Sequence, residues 1–187
     1  LYSPTSGHVL IDDHPVTRIP RQDLVKAVAM VPQKPWLFSG TVASNLRMGN
    51  PDATDEQLWA ALRTAQAGFV EDLDMPISQG GTNVSGSQRQ RLCIARMLVA
   101  DPKVYIFDDS FSALDATTEA NLNAAMREVV KDRTVIVVAQ KVSSIRHADQ
   151  ILVMEAGRIV ARGTHDELLQ TSVTYREIAA SQAEVDA

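Results

Sequence analysis

A pair of carboxylates follows an apolar run directly, in Val104-Tyr105-Ile106-Phe107-Asp108-Asp109. Such a run predicts a strand of an open α/β sheet, and ligands of these sheets bind beyond the carboxyl ends of the strands. A carboxylate there is suited to hold a hydrated cation such as Mg²⁺. Apolar strands also end in Asp to form a turn. On this segment alone, a metal ligand at Asp108 and a plain turn both stay open.

A second segment, Asn83-Val84-Ser85-Gly86-Ser87-Gln88-Arg89-Gln90-Arg91, opens a predicted helix upstream of the paired aspartates. Small residues at a helix start let backbone N–H groups approach an anion closely, and the positive end of the helix dipole favours phosphate. Ordinary helix capping accounts for one serine but not for the whole run. The segment therefore predicts contact with a phosphate group.

Hydrophobic periodicity predicts the strands and helices around these residues. A short hairpin is expected from His8–Ile11 and the turn that follows it. Further strand patterns occur at Val28–Val31, Val104–Phe107, Thr134–Ala139 and Ile151–Met154. Helical patterns occur at 54–65, 88–98, 118–130 and 143–148. The alternation of strands and helices after residue 100 predicts a mostly parallel sheet with covering helices.

Between Thr41 and Val99 the strand patterns stop and helical patterns dominate, which predicts a helical insertion. Thr54-Asp55-Glu56-Gln57 resembles a capping box at the start of one of its helices.

Near the C-terminus, Glu155–Arg158 predicts a tight turn, and Thr164–Glu167 caps a last helix. Val28–Val31 is a continuous apolar run and predicts a buried strand that ends at an active edge.

Bulk composition limits the class of protein. The 187 residues with 45% hydrophobic content are enough for one substantial core and favour one domain. The net charge of −5 offers no basic stripe, so nucleic acid is not an expected partner. The single cysteine, Cys93, is expected to be a buried small side chain, and the four histidines have no metal-ligand spacing. No apolar stretch approaches the ~20 residues that span a bilayer.

Read together and in order, these segments resemble the motifs of ABC ATPases. Asn83–Arg91 resembles the family's signature motif, and Val104–Asp109 resembles its Walker B strand. The other matching segments are Val31–Thr41 for the Q-loop, Ser112-Ala113-Leu114-Asp115 for the D-loop, Val137-Val138-Ala139-Gln140 for the switch region and Gly157–His165 for the stretch after it. The resemblance runs from about Leu1 to Ser181.

The resemblance implies a P-loop NTPase (RecA-like) core at about 1–39 and 100–187, with a helical subdomain at 40–99. ATP and Mg²⁺ are the implied cofactors, with Gln33 and Asp108 on the metal side. In this family Ser85, Gly86, Ser87 and Gln88 would face a nucleotide held by a second nucleotide-binding domain, and Asp115 would cross that dimer interface. The wording of the Q-loop is most similar to the exporter branch, which implies a transmembrane partner and a place at the cytoplasmic face of the cell membrane.

In that branch the helical insertion meets the transmembrane partner. Trp36 and Phe38 are therefore expected near this contact, with core packing as the alternative.

This sequence departs from the family pattern at four places. No segment fits the phosphate loop G-x-x-x-x-G-K-[ST], so the domain is expected to be N-terminally truncated and the residues given are expected to bind ATP poorly. Asp109 stands where the family usually has the catalytic Glu, and Gln140 stands where it usually has His. Ser87 replaces the second signature glycine. A displacement of about 1 Å can cost on the order of 100-fold in rate, so hydrolysis is expected to be slow.

Two functions of different classes follow. The chain is expected to be the ATPase subunit of a heterodimeric exporter, whose partner carries Glu and His at the two altered positions. The alternative is a regulatory or structural module that does not hydrolyse ATP and uses it only as a dimerising ligand. A soluble ABC ATPase of translation or DNA repair is disfavoured by the Q-loop and by the lack of a coiled-coil insertion.

Overall fold

The computed structural model describes residues 4–183 of the chain. Its strands are β1 Leu10–Ile11, β2 His14–Pro15, β3 Val28–Val31, β4 Gly40–Thr41, β5 Pro76–Ile77, β6 Val104–Asp108, β7 Thr134–Val138, β8 Ile151–Glu155 and β9 Arg158–Gly163. Its α-helices are α1 Arg21–Ala27, α2 Val42–Leu46, α3 Asp55–Thr64, α4 Gly86–Ala100, α5 Ala116–Val129, α6 Val142–Ile145, α7 His165–Thr171 and α8 Val173–Ala183. No helix in the described range is long and apolar enough to cross a bilayer.

A parallel sheet in the order β3-β6-β7 confirms the predicted α/β class. Val28 pairs with Val104, and Val104 pairs with Thr134, so the three strands start level with one another. Their carboxyl ends therefore meet at one edge, where Val31, Asp108 and Val138 are the last strand residues.

The central strand β6 contributes the most deeply buried side chains of this sheet. Tyr105 and Phe107 are fully buried, and they share one cluster with Leu92 and Ile94 of α4. The flanking strands are more open: only Val31 of β3 is buried, and four of the five residues of β7 are exposed. The expectation of a buried strand at Val28–Val31 was therefore wrong for most of its residues, because β3 is an edge strand of this sheet in the described residues and pairs only with β6.

The segment between β3 and β6 is mainly helical, as predicted. Helices α2, α3 and α4 pack on one another, and Thr54 forms the predicted capping box with Gln57. A second capping box, Thr41 with Ser44, opens α2. The expectation that strands stop here was wrong in one respect, because β4 and β5 pair in antiparallel fashion. Strands of two residues are too short to produce a detectable alternation.

The C-terminal part forms a second apolar cluster. Strand β8 pairs with β9 in an antiparallel hairpin separate from the parallel sheet, so the assignment of Ile151–Met154 to that sheet was wrong. The turn residues Ala156 and Gly157 have φ of 48° and 76°, the left-handed values of a tight hairpin turn. Two helices follow rather than one, and Leu168 of α7 and Tyr175 of α8 are buried with the hairpin.

Candidate functional site

Three predicted site residues meet at the carboxyl edge of the parallel sheet. Gln33 follows β3, Asp109 follows β6 and Gln140 follows β7. The amide Nε2 atoms of Gln33 and Gln140 both donate to Oδ2 of Asp109, at 3.1 Å and 3.0 Å. One carboxylate oxygen thus joins Gln33, which lies 76 positions before Asp109, and Gln140, which lies 31 positions after it.

The backbone around Asp109 locks the three strand ends together. Its N–H donates to the carbonyl of Val138 at 2.8 Å, and the hydroxyl of the buried Ser110 donates to the carbonyl of Val31 at 2.8 Å. Asp109 itself has φ of 47°, a left-handed conformation that Asp tolerates better than most residues. The carboxylate is therefore held by its backbone as well as by the two amides.

The chemistry of these contacts fixes which atoms remain free. An ionised carboxylate only accepts hydrogen bonds, so each glutamine must turn its NH₂ group toward Asp109. The Oε1 atoms of Gln33 and Gln140 are left as acceptors, and each NH₂ keeps a second donor hydrogen. A cleft beside Asp109 is lined by Phe111, Ser112 and Lys141.

The metal-side prediction named Gln33 and Asp108. Asp108 is the last residue of β6 and is half-buried, one position before the carboxylate that Gln33 contacts. Amide and carboxylate oxygens are the ligand type that Mg²⁺ prefers, and the ion usually completes its shell with water and substrate phosphates. Within residues 4–183 no cluster of three or more His, Cys, Asp or Glu residues has metal-binding geometry. The side chains present fit a Mg²⁺ ion that is bound together with a nucleotide.

The signature residues lie at the N-terminus of α4 and not among the contacts of Asp109. Ser85 is the N-cap, and its Oγ accepts from Gln88 N at 3.2 Å while Gln88 Oε1 accepts from Ser85 N at 2.9 Å. This capping box engages the side chains of two of the four signature residues. Ser87 Oγ lies 3.2 Å from Ser85 Oγ, and the space around the Cα of Gly86 is open. The helix start is exposed at the two residues Ser85 and Gly86.

Asp115 is the N-cap of α5 and lies near α4. Its carboxylate accepts from the backbone N and the hydroxyl of Thr118 at 2.9 Å and 2.7 Å, and these bonds lower the pKa of Asp115. Burial lowers the pKa of Arg91 of α4, and the charge of Asp115 opposes that shift. The Arg91 guanidinium lies 4.9 Å from the centre of the Phe69 ring.

The two aromatic residues of the Q-loop segment are exposed rather than buried in the core. Trp36 has 49% of its surface exposed and Phe38 has 43%. The Trp36 indole packs against Gly80, where an added Cβ would come within 3.2 Å of the ring. The core-packing alternative was therefore wrong for these side chains. Cys93 is buried, as predicted, and its thiol donates to the carbonyl of Trp36.

Several contacts around the switch region were missed by the sequence analysis. Ser144 of α6 donates to the buried Glu119 of α5. Gln182 of α8 contacts the backbone of Gln140 and of Val142, on the two sides of Lys141 within the switch segment, residues 137–142. None of these residues belongs to a recognisable motif, because they act through long-range polar contacts that leave no pattern along the chain.

The fold defines the class of protein: an α/β P-loop NTPase, with Gln33, Asp109 and Gln140 at the carboxyl edge of its parallel sheet. Comparison with solved structures agrees, because a bacterial Atm1-family ABC exporter with ATP bound superposes with a TM-score of 0.92 at 34% identity. That alignment covers 97% of this chain and 33% of the exporter chain.

The model of the ABC transporter family matches residues 1–112, and the chain belongs to this family, as part of its ATP-binding domain. An uncharacterized ABC transporter ATP-binding protein of Mycobacterium tuberculosis (strain H37Rv) is 49% identical over 98% of this chain. A β-(1→2)glucan export ATP-binding/permease protein of Rhodopseudomonas palustris is 43% identical over 97% of it. The chain spans about a third of the length of these relatives (32% and 31%).

Proposed function

We propose that this chain is the ATP-binding part of an ABC-type exporter, in which binding and hydrolysis of Mg-ATP drive transport across a membrane. The observation that carries the proposal is the meeting of Gln33, Asp109 and Gln140 on one carboxylate oxygen, at the edge where α/β sheets bind ligands. The exporters among the matched relatives support the transport role.

Gln33 and Asp108 would hold the Mg²⁺ ion. The ion would supply positive charge that neutralises the phosphate oxygens of the nucleotide. Gln33 would link this site to the helical segment that follows it, since the chain runs from Gln33 through the exposed Trp36 and Phe38 into α2. In this proposal those aromatic residues contact the transmembrane domain at the cytoplasmic face of the membrane.

The site on this chain is proposed to be slow. Asp109 is one methylene shorter than the glutamate that the family usually places there, so its carboxylate lies further from an attacking water. Gln140 can donate and accept hydrogen bonds but cannot carry a proton near neutral pH, unlike histidine. Both amides already bind Oδ2 of Asp109, and a nucleotide must compete for these donors.

The phosphate cradle of this site is proposed to come from residues outside the sequence given. No segment of the 187 residues fits G-x-x-x-x-G-K-[ST]. Strand β7 supports the proposal, because Ile136 and Val138 are 47% and 54% exposed although parallel strands are usually covered on both faces. The division into a RecA-like core (1–39 and 100–187) and a helical subdomain (40–99) is part of the same proposal.

A second nucleotide-binding domain is the proposed partner. Ser85, Gly86, Ser87 and Gln88 would face the nucleotide of that partner, and Asp115 would lie at the interface. The open space around Gly86 and the exposure of the helix start leave room for such a ligand. A partner with Glu and His at the altered positions would form one efficient site together with this chain's signature residues. Asp109 and Gln140 would belong to the second site, where hydrolysis would be slow.

The second candidate function is a module that binds ATP without hydrolysing it. The same observation favours it, because Asp109 is engaged by two amides and neither the family's Glu nor its His is present.

Restoring the two altered residues in the full-length protein, paired with itself, distinguishes the candidates. Asp109→Glu and Gln140→His together are expected to raise ATP turnover by more than the product of the single effects, because the two side chains act as a unit. Asp23→Glu and Gln170→His, the same changes at exposed positions, serve as controls. A wild-type protein that binds Mg-ATP yet hydrolyses none, with turnover appearing only when both residues are restored, would favour the non-hydrolysing module; slow turnover in the wild type would favour the ATPase subunit.

A further inference from the structure

The switch segment is held by a residue far along the chain, Gln182 of the last helix. Its Oε1 accepts from Val142 N at 2.7 Å, and its Nε2 donates to the carbonyl of Gln140 at 2.7 Å. One side-chain amide thus bonds two backbone groups that flank Lys141. Lys141 has an extended conformation, with φ of −88° and ψ of 128°.

These two bonds meet a local need of helix α6. The N-cap residue of α6 is Lys141, whose side chain cannot accept a hydrogen bond, and no side-chain cap is made by it. The N–H of Val142 is one of the donors that a helix start leaves without an intrahelical partner. Gln182 supplies the missing acceptor, and the same amide fixes the carbonyl of Gln140.

Helix α8 is itself anchored. Tyr175 is buried in the C-terminal cluster, its N–H is capped by Ser172 Oγ at 3.2 Å, and its hydroxyl lies 2.9 Å from Nδ1 of His165. Gln182 follows Tyr175 by seven residues, which places both on one face of the helix. The position of Gln182 is therefore set by packed side chains.

We infer that Gln182 is a positioning residue for Gln140: it fixes the backbone on which the Gln140 side chain reaches the nucleotide site. The inference rests on the proposed function and adds that the Gln140 amide contacts the γ-phosphate of the bound ATP. The chain of contacts is continuous, from Gln182 to the carbonyl of Gln140 and from the Gln140 amide to Asp109. Only glutamine supplies a donor and an acceptor at this reach, since Glu lacks the donor and Asn is one methylene shorter.

The test uses Gln182→Met in the full-length protein, with Gln170→Met as the matched control at an exposed position of α7. The first readout is hydrogen exchange without nucleotide. Exchange at Val142 is expected to become about tenfold faster in Gln182→Met and to stay unchanged in the control, because the N–H of Val142 loses its side-chain acceptor, Oε1 of Gln182. Gln182→Glu keeps that acceptor and is expected to retain the protection. Unchanged exchange at Val142 in Gln182→Met would overturn the inference.

The second readout is the preference for Mg-ATP over Mg-ADP at this chain's site. In Gln182→Met the affinity for ATP is expected to fall about fivefold while the affinity for ADP stays within about twofold, because only ATP carries the γ-phosphate. In a Gln140→Ala background, Gln182→Met is expected to cause no further loss. Equal loss of ATP and ADP binding, or an undiminished further loss in that background, would overturn the positioning role.

The two proposals fail in different ways. A wild-type protein with no preference for ATP would contradict the proposed function, and exchange at Val142 would still decide whether Gln182 holds the switch segment. A wild-type protein that prefers ATP and a Gln182→Met variant that prefers it equally would contradict only the positioning role.

Discussion

The side chain of Asn45 joins the loop after Gln33 to helix α2. The hydrogen bonds that it makes set how much local stability is lost when it is removed. The side chain is 1% exposed. Its Oδ1 accepts from Phe38 N at 2.8 Å, and its Nδ2 donates to the carbonyls of Phe38 and Thr41 at 2.8 Å and 3.0 Å. Asn45→Ala removes all three bonds and leaves three backbone groups without these partners.

Each such bond contributes about 1 kcal/mol net, so the loop is expected to lose about 3 kcal/mol of local stability. A tenfold change corresponds to about 1.4 kcal/mol, which predicts roughly 100-fold faster exchange of the Phe38 amide. Asn45→Asp keeps the acceptor but turns a carboxylate oxygen toward two carbonyls in a buried place. It is expected to be at least as damaging as Asn45→Ala.

Hydrogen exchange measured by mass spectrometry on the full-length protein, with peptides that cover 36–41, gives the readout. Asn121→Ala, the same substitution at an exposed position of α5, is the control and is expected to change stability by less than about 0.5 kcal/mol. If Phe38 exchanges no faster in Asn45→Ala than in the control, the Asn45 bonds do not hold this loop. An Asn45→Asp protein as stable as the wild type would lead to the same conclusion.

Two further predictions concern pH dependence and nucleotide binding. Burial, reinforced by the charge of Asp101, raises the pKa of Tyr105 to about 12. The neutral phenol of Tyr105 thus makes its full contribution to the unfolding free energy below about pH 10, the pKa of a free tyrosine. This contribution is lost as pH rises toward 12. Chemical denaturation at pH 9 and pH 11 should show a larger fall in unfolding free energy for wild type than for Tyr105→Phe; equal falls would contradict the assignment. The 187 residues alone should bind Mg-ATP only weakly, since they hold no phosphate loop, and micromolar affinity by isothermal titration would disprove this.

The parallel sheet was predictable because its strands carry long apolar runs. The bounds predicted for β3, β6 and β7 agree with the structure to within one residue. Residues that follow neighbouring parallel strands must lie at one edge, so the meeting of Gln33, Asp109 and Gln140 follows from their places after β3, β6 and β7. The capping boxes at Thr54 and Thr164 were predictable for a similar reason, since both partners lie three residues apart.

Other features leave no such local signal. The β8–β9 hairpin has an apolar first strand like those of the parallel sheet, and only its pairing partner distinguishes it. Asn45 is a buried amide within a helix of five residues, although asparagine side chains are mostly exposed in proteins. Gln182 contacts backbone groups 40 and 42 residues away. Such contacts depend on tertiary packing, and no residue spacing along the chain predicts them.

In the proposed function, Asp109 and Gln140 make this chain's site the slow one of an asymmetric pair. The most direct test is to purify the native complex, trap it during turnover with vanadate, and determine which nucleotide lies at each site and which subunit supplies it. We expect uncleaved ATP beside Asp109 and Gln140, with hydrolysis at the site that contains Ser85 and Gly86 of this chain together with the partner's glutamate and histidine. Two copies of this chain that hydrolyse ATP equally at both sites would contradict it.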